Sequence, residues 1–251
     1  MARQKQKQKR SSTALIAVII VAVFVTGVGV GAFIVPAKTA LPYGPIQLNK
    51  KTAVVMGIPA VDTANKGVLG KLTTEVEPGT GKVLVNVINI ITLGDTQLSA
   101  QKAVRAAANY TRADLSNLDI TFNIDVNAST IEGPSAGASM AVSIVFGVRN
   151  ETPRSDVMIT GTIEENGQIG KVGSIFEKAK AAKEGGANVF VVPKGQSTES
   201  QTSKTQQCRQ MGSTQYCRII YESKPVNIGE MLNMTVVEAA NLDEAMGYFR
   251  R

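Results

Sequence analysis

Histidine is absent from all 251 residues of the chain. The Ser-His-Asp and Cys-His catalytic mechanisms are therefore excluded, as is every metal site that depends on imidazole. Tryptophan is absent too, and aromatic residues make up only 5% of the chain. The net charge of +7 includes five basic residues before residue 11, which leaves only +2 on the rest of the chain. A nucleic-acid partner is not expected, because no stretch combines basic and aromatic residues.

Cysteine is scarce as well, since the chain contains only Cys208 and Cys217. Two thiols are too few for a structural zinc site. Both lie in a polar insertion, 195–217, which is rich in serine and glutamine. One interpretation is a disulfide that closes a surface loop, and the other is two free thiols.

The N-terminal segment is strongly apolar. Residues 13–35 form a run of 23 residues without a charge, which is long enough to cross a hydrocarbon core about 30 Å thick as a helix. A cleaved signal peptide is the alternative, but its apolar region typically has about 7–15 residues. The basic tail, 1–12, predicts that the N-terminus is cytoplasmic. We therefore expect a single-pass protein of the cell membrane with an extracytoplasmic domain.

The remaining chain reads as a linker, 36–51, followed by one domain, 52–251. Strands and helices alternate in this domain, which predicts a mixed α/β (α+β) fold. The predicted strands are 52–58, 71–76, 82–92, 118–126, 156–163 and 188–193. The predicted helices are 96–110, 135–147, 174–184, 227–233 and 241–250.

The pentapeptide from Gly133 to Gly137, Gly-Pro-Ser-Ala-Gly, has the Gly-x-Ser-x-Gly spacing that projects a nucleophilic serine from a tight turn. Alone this spacing is weak evidence, because Ser135 could equally cap the helix that follows. A nucleophilic serine also needs a base, and in this chain the base cannot be histidine. A lysine that loses its charge can take that role.

The predicted helix 174–184 carries three lysines: Lys178, Lys180 and Lys183. Helical periodicity directs Lys180 to solvent and leaves the other two at the flank of the buried face. Lys178 lies in the first turn, where the helix dipole disfavours a cation and where burial would lower the lysine pKa further. We therefore expect Lys178 rather than Lys183 to be the base.

The two ends of this helix also have sequence signals. Ser174 and Glu177 have the spacing of a capping box, which predicts the N-terminus of the helix. Gly185 and Gly186 predict its C-terminus.

Two longer segments, IEGPSAGASMAVSI and VMITGTIEENGQIGKVGSIFEKAKAAKEGGANVFVVPKG, resemble the proteolytic domain of the Lon proteases. The resemblance covers essentially all of 52–251 and implies the fold of the second domain of ribosomal protein S5. It implies that Ser135 and Lys178 are the catalytic pair and that Thr160 helps to hold the lysine. Gly133 precedes the nucleophile, and Glu132 stands where many relatives have aspartate, either to tune the site or to cap the loop.

The resemblance further implies peptide hydrolysis of polypeptide substrates through an acyl-enzyme, without a cofactor, by a homo-oligomeric ring that often has six subunits. One departure concerns ATP. The segment 77–83, EPGTGKV, lacks the first glycine and the final Ser or Thr of a phosphate-binding loop, so ATP is not expected. We expect an ATP-independent, membrane-anchored serine endopeptidase that acts on unfolded, membrane or exported proteins. The alternative is a non-catalytic Lon-like membrane scaffold.

Overall fold

The computed structural model describes residues 43–88, 95–126 and 134–250. The basic tail 1–12, the predicted membrane helix 13–35, most of the linker, Glu132 and Gly133 lie outside the described residues. Within the described parts of the chain, no helix is both long and apolar enough to span a membrane.

The described domain alternates strands and helices, as the sequence predicts. The strands are β1 (Thr52–Val61), β2 (Gly67–Pro78), β3 (Val83–Ile88), β4 (Leu118–Val126), β5 (Val157–Ile159), β6 (Thr162–Ile163), β7 (Ile169–Gly170), β8 (Val189–Pro193), β9 (Thr198–Met211), β10 (Thr214–Asn227) and β11 (Thr235–Ala239). The helices are α1 (Asp95–Thr111), α2 (Gly137–Arg149), α3 (Ile175–Glu184), α4 (Ile228–Leu232) and α5 (Leu242–Phe249).

The first half of the domain is built on a four-stranded sheet in the order β1-β2-β4-β3. Only β3 and β4 run parallel to each other, and the other neighbours are antiparallel. Apolar and polar residues alternate along β4, so one face is buried. The buried face packs against α2. The hydroxyl of Thr74 in β2 is hydrogen-bonded to the hydroxyl of Ser143 in α2 at 2.6 Å.

The second half is a parallel sheet in the order β11-β8-β5, with helices on both faces. Val157 and Ile159 of β5 join the core that includes α2 and α5. Met158, between them, points to the other face and packs in a separate cluster with Ala179 and Ala182 of α3. Strand β5 therefore separates the layer of α2 from the layer of α3.

The predicted linker partly belongs to this domain. Pro45 forms a parallel bridge with Asp114, and the side chains of Ile46 and Leu48 pack against the core. Asn117 donates its side-chain N–H to the carbonyl of Ile46 at 2.8 Å. The packed domain thus begins several residues before the boundary expected at Thr52.

The polar insertion 195–217 has more structure than its composition suggests. Strands β9 and β10 pair with each other along 14 residues and form a two-stranded ribbon. Cys208 and Cys217 lie opposite each other in this pairing and form a disulfide. The sequence pattern missed these strands because an element exposed on both faces carries no apolar periodicity.

The predicted strand 156–163 is wrong as one element. It is divided into β5 and β6 by Thr160 and Gly161. The Thr160 N–H still donates to the carbonyl of Val191 in β8, whereas the backbone of Gly161 bonds with Ser135 and Ala138 at the start of α2. The short strands β7 and β11 were also not predicted. The strand 118–126 has the predicted ends, and the other predicted elements are present with shifted ends, although residues 89–92 of the third predicted strand lie outside the described residues.

Candidate active site

Ser135 lies in a short 3-10 turn, Pro134–Ala136, directly before α2. The predicted start of this helix at residue 135 is therefore two residues early. The structure assigns Ala136 as the N-cap, and no side chain caps the helix. The alternative that Ser135 caps this helix is thus not supported. Ser135 is half-buried, and its hydroxyl forms no capping hydrogen bond with the helix.

Thr160 and Gly161 fix the backbone of the Ser135 turn. The Gly161 N–H donates to the carbonyl of Ser135 at 3.0 Å, and the Thr160 hydroxyl donates to the same oxygen at 3.4 Å. In return, the Ala138 N–H donates to the carbonyl of Gly161 at 3.0 Å. The serine is therefore held by the C-terminal end of β5, which is a rigid element.

Two glycines allow this close approach. Gly161 has φ of +154°, and a Cβ there would collide with the side chain of Ile169. A Cβ at Gly137 would lie 2.9 Å from the side chain of Ile163. Larger residues at either position would push the serine turn away from β5 and β6.

Helix α3 covers the other face of β5 and carries the three candidate lysines. Lys178 is buried, with 4% of its surface exposed, whereas Lys180 and Lys183 are exposed. Lys183 donates its ammonium to the carbonyl of Leu232, at the end of α4. The burial of Lys178 therefore agrees with the expectation from its position in the helix. The ammonium of Lys183 instead bonds to the end of another helix, α4.

The burial of Lys178 has an electrostatic consequence. Desolvation lowers its pKa from 10.5 to about 8, and no charged group among the described residues opposes the shift. A lysine with this pKa is neutral in about half of the molecules at pH 8. It can accept a proton near neutral pH, which the exposed lysines of α3 cannot do as readily.

Thr160 directly follows β5 and lies beside the Ser135 turn. Its hydroxyl donates to the carbonyl of Ser135, which precedes α2. Met158 of β5 packs with Ala179 and Ala182 of α3. The end of β5 therefore adjoins the serine turn, and the middle of the same strand contacts the lysine helix.

The residue pattern has a match among known families. Residues 43–212 match the model of the Lon protease (S16) C-terminal proteolytic domain. The chain belongs to this Lon family. The family resemblance inferred from the two sequence segments is thus confirmed, and the mixed α/β fold is consistent with it.

Individual Lon proteases show the extent of the similarity. The chain is 32% identical over 128 residues to the archaeal Lon protease of Thermoplasma acidophilum, an alignment that covers 51% of this chain and 20% of that protein. It is 28% identical over 161 residues to the Lon protease of Azorhizobium caulinodans, covering 60% of this chain and 18% of that protein. The chain thus spans about a fifth of the length of these curated relatives.

The N-terminus of the lysine helix in this Lon domain differs from the sequence prediction. The predicted capping box of Ser174 and Glu177 is wrong, because Ser174 adopts a left-handed conformation with φ of 55° and does not cap the helix. Its hydroxyl is bonded to the side-chain oxygen of Asn65 at 2.6 Å instead. A Cβ at Gly67 would collide with the carbonyl oxygen of Glu177, so the β1–β2 turn lies directly against α3. The C-terminus at Gly185 and Gly186 is as predicted.

Gln196 contacts the segment before the lysine helix, and the sequence did not reveal this role. Its side-chain amide forms two hydrogen bonds with the backbone of Val172, accepting from the N–H at 3.0 Å and donating to the carbonyl at 2.7 Å. Val172 precedes the start of α3 by three residues. Gln196 therefore holds the segment that leads into the lysine helix, and a lone glutamine in a polar stretch carries no sequence signal for such a role.

Proposed function

We propose that this chain is a serine endopeptidase in which Ser135 is the nucleophile and Lys178 is the general base. The observation that carries the proposal is the burial of Lys178. A buried lysine without a compensating carboxylate is costly, and such groups concentrate at functional sites. Membership of the Lon proteolytic family supports the same assignment.

The proposed reaction proceeds in two steps. The Ser135 hydroxyl oxygen attacks the scissile carbonyl carbon while its proton passes to the neutral amine of Lys178. The protonated lysine returns that proton to the leaving amine, which gives an acyl-enzyme on Ser135 and releases the first product. Water then attacks the acyl carbonyl carbon while its proton passes to Lys178. Lys178 returns the proton to the Ser135 oxygen, which releases the second product and regenerates the serine.

The start of α2 suits the negative charge that forms on the carbonyl oxygen. Backbone N–H groups beside Ser135 lie at the N-terminal end of a 13-residue helix, where the dipole favours negative charge. Thr160, bonded to the Ser135 carbonyl, keeps this turn in place. Gly133 and Glu132 precede the turn in sequence and stay in the proposal as supporting residues.

The proposed activity does not use ATP. In the turn between β2 and β3, the backbone N–H groups of Thr80 and Lys82 donate to the carboxylate of Asp119 at 2.7 and 2.9 Å. These bonds lower the pKa of Asp119. A turn whose amides already bind a carboxylate of the same domain has little capacity to bind a phosphate.

We further propose that residues 13–35 anchor the enzyme in the cell membrane, with the proteolytic domain outside the cytoplasm. The uncharged run and the preceding basic residues support this topology. A disulfide between Cys208 and Cys217 suits an oxidising compartment. The proposed substrates are unfolded segments of membrane or exported proteins, and the proposed assembly is a homo-oligomeric ring.

A fluorophosphonate probe tests the nucleophile directly, because it forms a covalent bond with activated serines. The purified full-length protein should be labelled, and Ser135→Ala should abolish the labelling. Ser139→Ala is a control, because the Ser139 hydroxyl is buried and donates to the carbonyl of Ile159 at 2.9 Å. Equal labelling of wild type and Ser135→Ala would exclude Ser135 as the nucleophile.

A further inference from the structure

The ribbon formed by β9 and β10 (Thr198–Asn227) exposes nearly all of its surface. Among its described side chains, only Ile220, Val226 and Asn227 are partly buried. Fourteen residues of strand span about 45 Å. A two-stranded ribbon of this kind is marginal on its own, and the disulfide between Cys208 and Cys217 fixes its pairing. An exposed element stabilised in this way suits a binding role better than a packing role.

The two faces of the ribbon differ in chemistry. Paired residues project to the same side, so Arg209 and Tyr216 share one face, and the alternation places Met211 and Arg218 with them. We call this the arginine face. The opposite, disulfide face carries Lys204, Ile219 and Tyr221 beside the disulfide. Tyr216 and Tyr221 are 69% and 65% exposed, so the two faces offer matched tyrosines.

The basic charge of the arginine face is concentrated near the tip of the ribbon. Between residues 200 and 221 the sequence has three basic residues and no acidic residue, and two of the three, Arg209 and Arg218, lie on the arginine face. The acidic residues of the ribbon, Glu199 and Glu222, lie on the same face nearer to its base, where Glu222 is 3.9 Å from Lys224. A tip with this composition attracts negatively charged partners. Tyrosine, arginine and methionine are also the side chains that are enriched in binding interfaces.

The base of the ribbon lies beside the start of the lysine helix. Its first residues, Thr198 and Glu199, line a cleft of about 300 Å³ together with Ser174 and Ile175 at the start of the lysine helix. Gln196, just before the ribbon, is bonded to Val172 of the same region. Within the described residues, β9 and β10 pair only with each other, so each has an outer edge that an extended chain can join.

We propose that the arginine face near the tip of the ribbon, roughly 35 Å along the strand from its base, binds extended, acidic segments of unfolded polypeptides. The backbone edge accepts the extended chain, the arginines attract its carboxylates, and Tyr216 and Met211 contact its apolar side chains. The proposal deepens the proposed endopeptidase function and rests on it, because that function is what would cleave the bound segment.

Binding is measured with the full-length Ser135→Ala protein, which cannot turn over its ligand. The probe is fluorescein-labelled α-lactalbumin, reduced and carboxymethylated so that it is acidic and unfolded. Tyr216→Ser and the double variant Arg209→Gln/Arg218→Gln should each weaken binding by about fivefold or more. Tyr221→Ser, the matched change on the disulfide face, should stay within about twofold of the parent. Equal binding by all four proteins, or an equal loss in Tyr221→Ser, would overturn the proposal.

Two further measurements separate this proposal from its rivals. In the Ser135 protein, the ribbon variants should hydrolyse a short neutral peptide at the wild-type rate but require more unfolded α-lactalbumin for half-maximal rate. If wild type fails to cleave the short peptide while the binding differences persist, the protease proposal fails and the ribbon proposal stands. If the arginine variants instead lose retention on phosphatidylglycerol nanodiscs and bind the polypeptide normally, the ribbon proposal is overturned.

Discussion

The hydroxyl of Thr160, which directly follows β5, donates to the carbonyl oxygen of Ser135 at 3.4 Å. Ser135 precedes α2 on one face of β5, and Lys178 lies on α3, which covers the other face. Thr160 is 1% exposed, so water cannot readily replace its contact. The bond therefore ties the turn of the proposed nucleophile to the end of β5, the strand whose other face packs against the helix of the proposed base.

Replacing Thr160 by valine should lower kcat by about tenfold, because the shape is kept while the bond to Ser135 is lost and the serine turn shifts. Steady-state hydrolysis of a short peptide measures the effect. Thr160→Ser, which keeps the hydroxyl, should retain most of the activity. A fully active Thr160→Val enzyme would show that the bond does not position the nucleophile.

The rate of hydrolysis should rise with pH through about 8. Lys178 must be neutral to accept the Ser135 proton, and burial lowers its pKa to about 8. The quantity to measure is kcat/KM for a neutral peptide between pH 6 and 10, which reports the free enzyme. A rate that is still low at pH 8 and keeps rising up to pH 10, as the ordinary lysine pKa of 10.5 would produce, would contradict a buried base.

Lys178→Met should stabilise the folded protein at pH 7 while abolishing turnover. The folded-state pKa of Lys178 is about 8 against 10.5 in the unfolded chain, so between these values the unfolded chain binds more protons and stability rises with pH. Below pH 8 the cost of the buried charge is fully present, on the order of 3 kcal/mol.

Denaturant unfolding of the two proteins tests this linkage. The advantage of Lys178→Met over wild type should be largest below pH 8 and should shrink as pH rises from 8 to 10.5. Lys183→Met, at an exposed lysine of the same helix, should show no such pH-dependent gain. A difference between wild type and Lys178→Met that stays constant with pH would indicate that Lys178 is not desolvated.

Gln196→Ala should reduce kcat by about tenfold with little change in KM, since it removes both bonds to Val172 and frees the segment that leads into the lysine helix. Gln196 is a positioning residue in this account, so the pH limb of the variant should also move up as Lys178 becomes more hydrated. Gln196→Asn should recover more activity than alanine.

The matched control for this change is Gln210→Ala. This exposed ribbon glutamine donates its amide N–H to the carbonyl of Gly212 at 2.9 Å and, among the described residues, bonds to nothing else through its side chain. It should leave both kcat and the pH limb unaltered. If Gln196→Ala lowered thermal stability but kept the wild-type kcat and pH dependence, Gln196 would stabilise the fold without positioning Lys178.

Much of the fold followed from local sequence patterns. The strand 118–126 was predicted with its observed ends, because it alternates apolar and polar residues on a sheet with one buried face. The helix 174–184 was predicted within one residue of α3. Its N-terminal signal was nevertheless misread, because Ser174 bonds with Asn65, 109 residues away in sequence, rather than with its own helix.

The site residues likewise divide into those that local sequence motifs indicate and those that only contacts between distant residues reveal. Ser135 and Lys178 stand in short motifs with local spacing, so the sequence could suggest them. Gln196 acts through Val172, 24 residues away, and only the folded chain brings the two together. The ribbon escaped prediction for a different reason, since its exposed strands lack the apolar alternation on which strand prediction depends.

The most direct test of the account compares Lys178→Met with Lys183→Met in the hydrolysis of a denatured protein without ATP. The account predicts that Lys178→Met removes turnover, as Ser135→Ala does, whereas Lys183→Met keeps a rate within about twofold of wild type. Loss of turnover in Lys183→Met with full activity in Lys178→Met would contradict the Ser135–Lys178 pair.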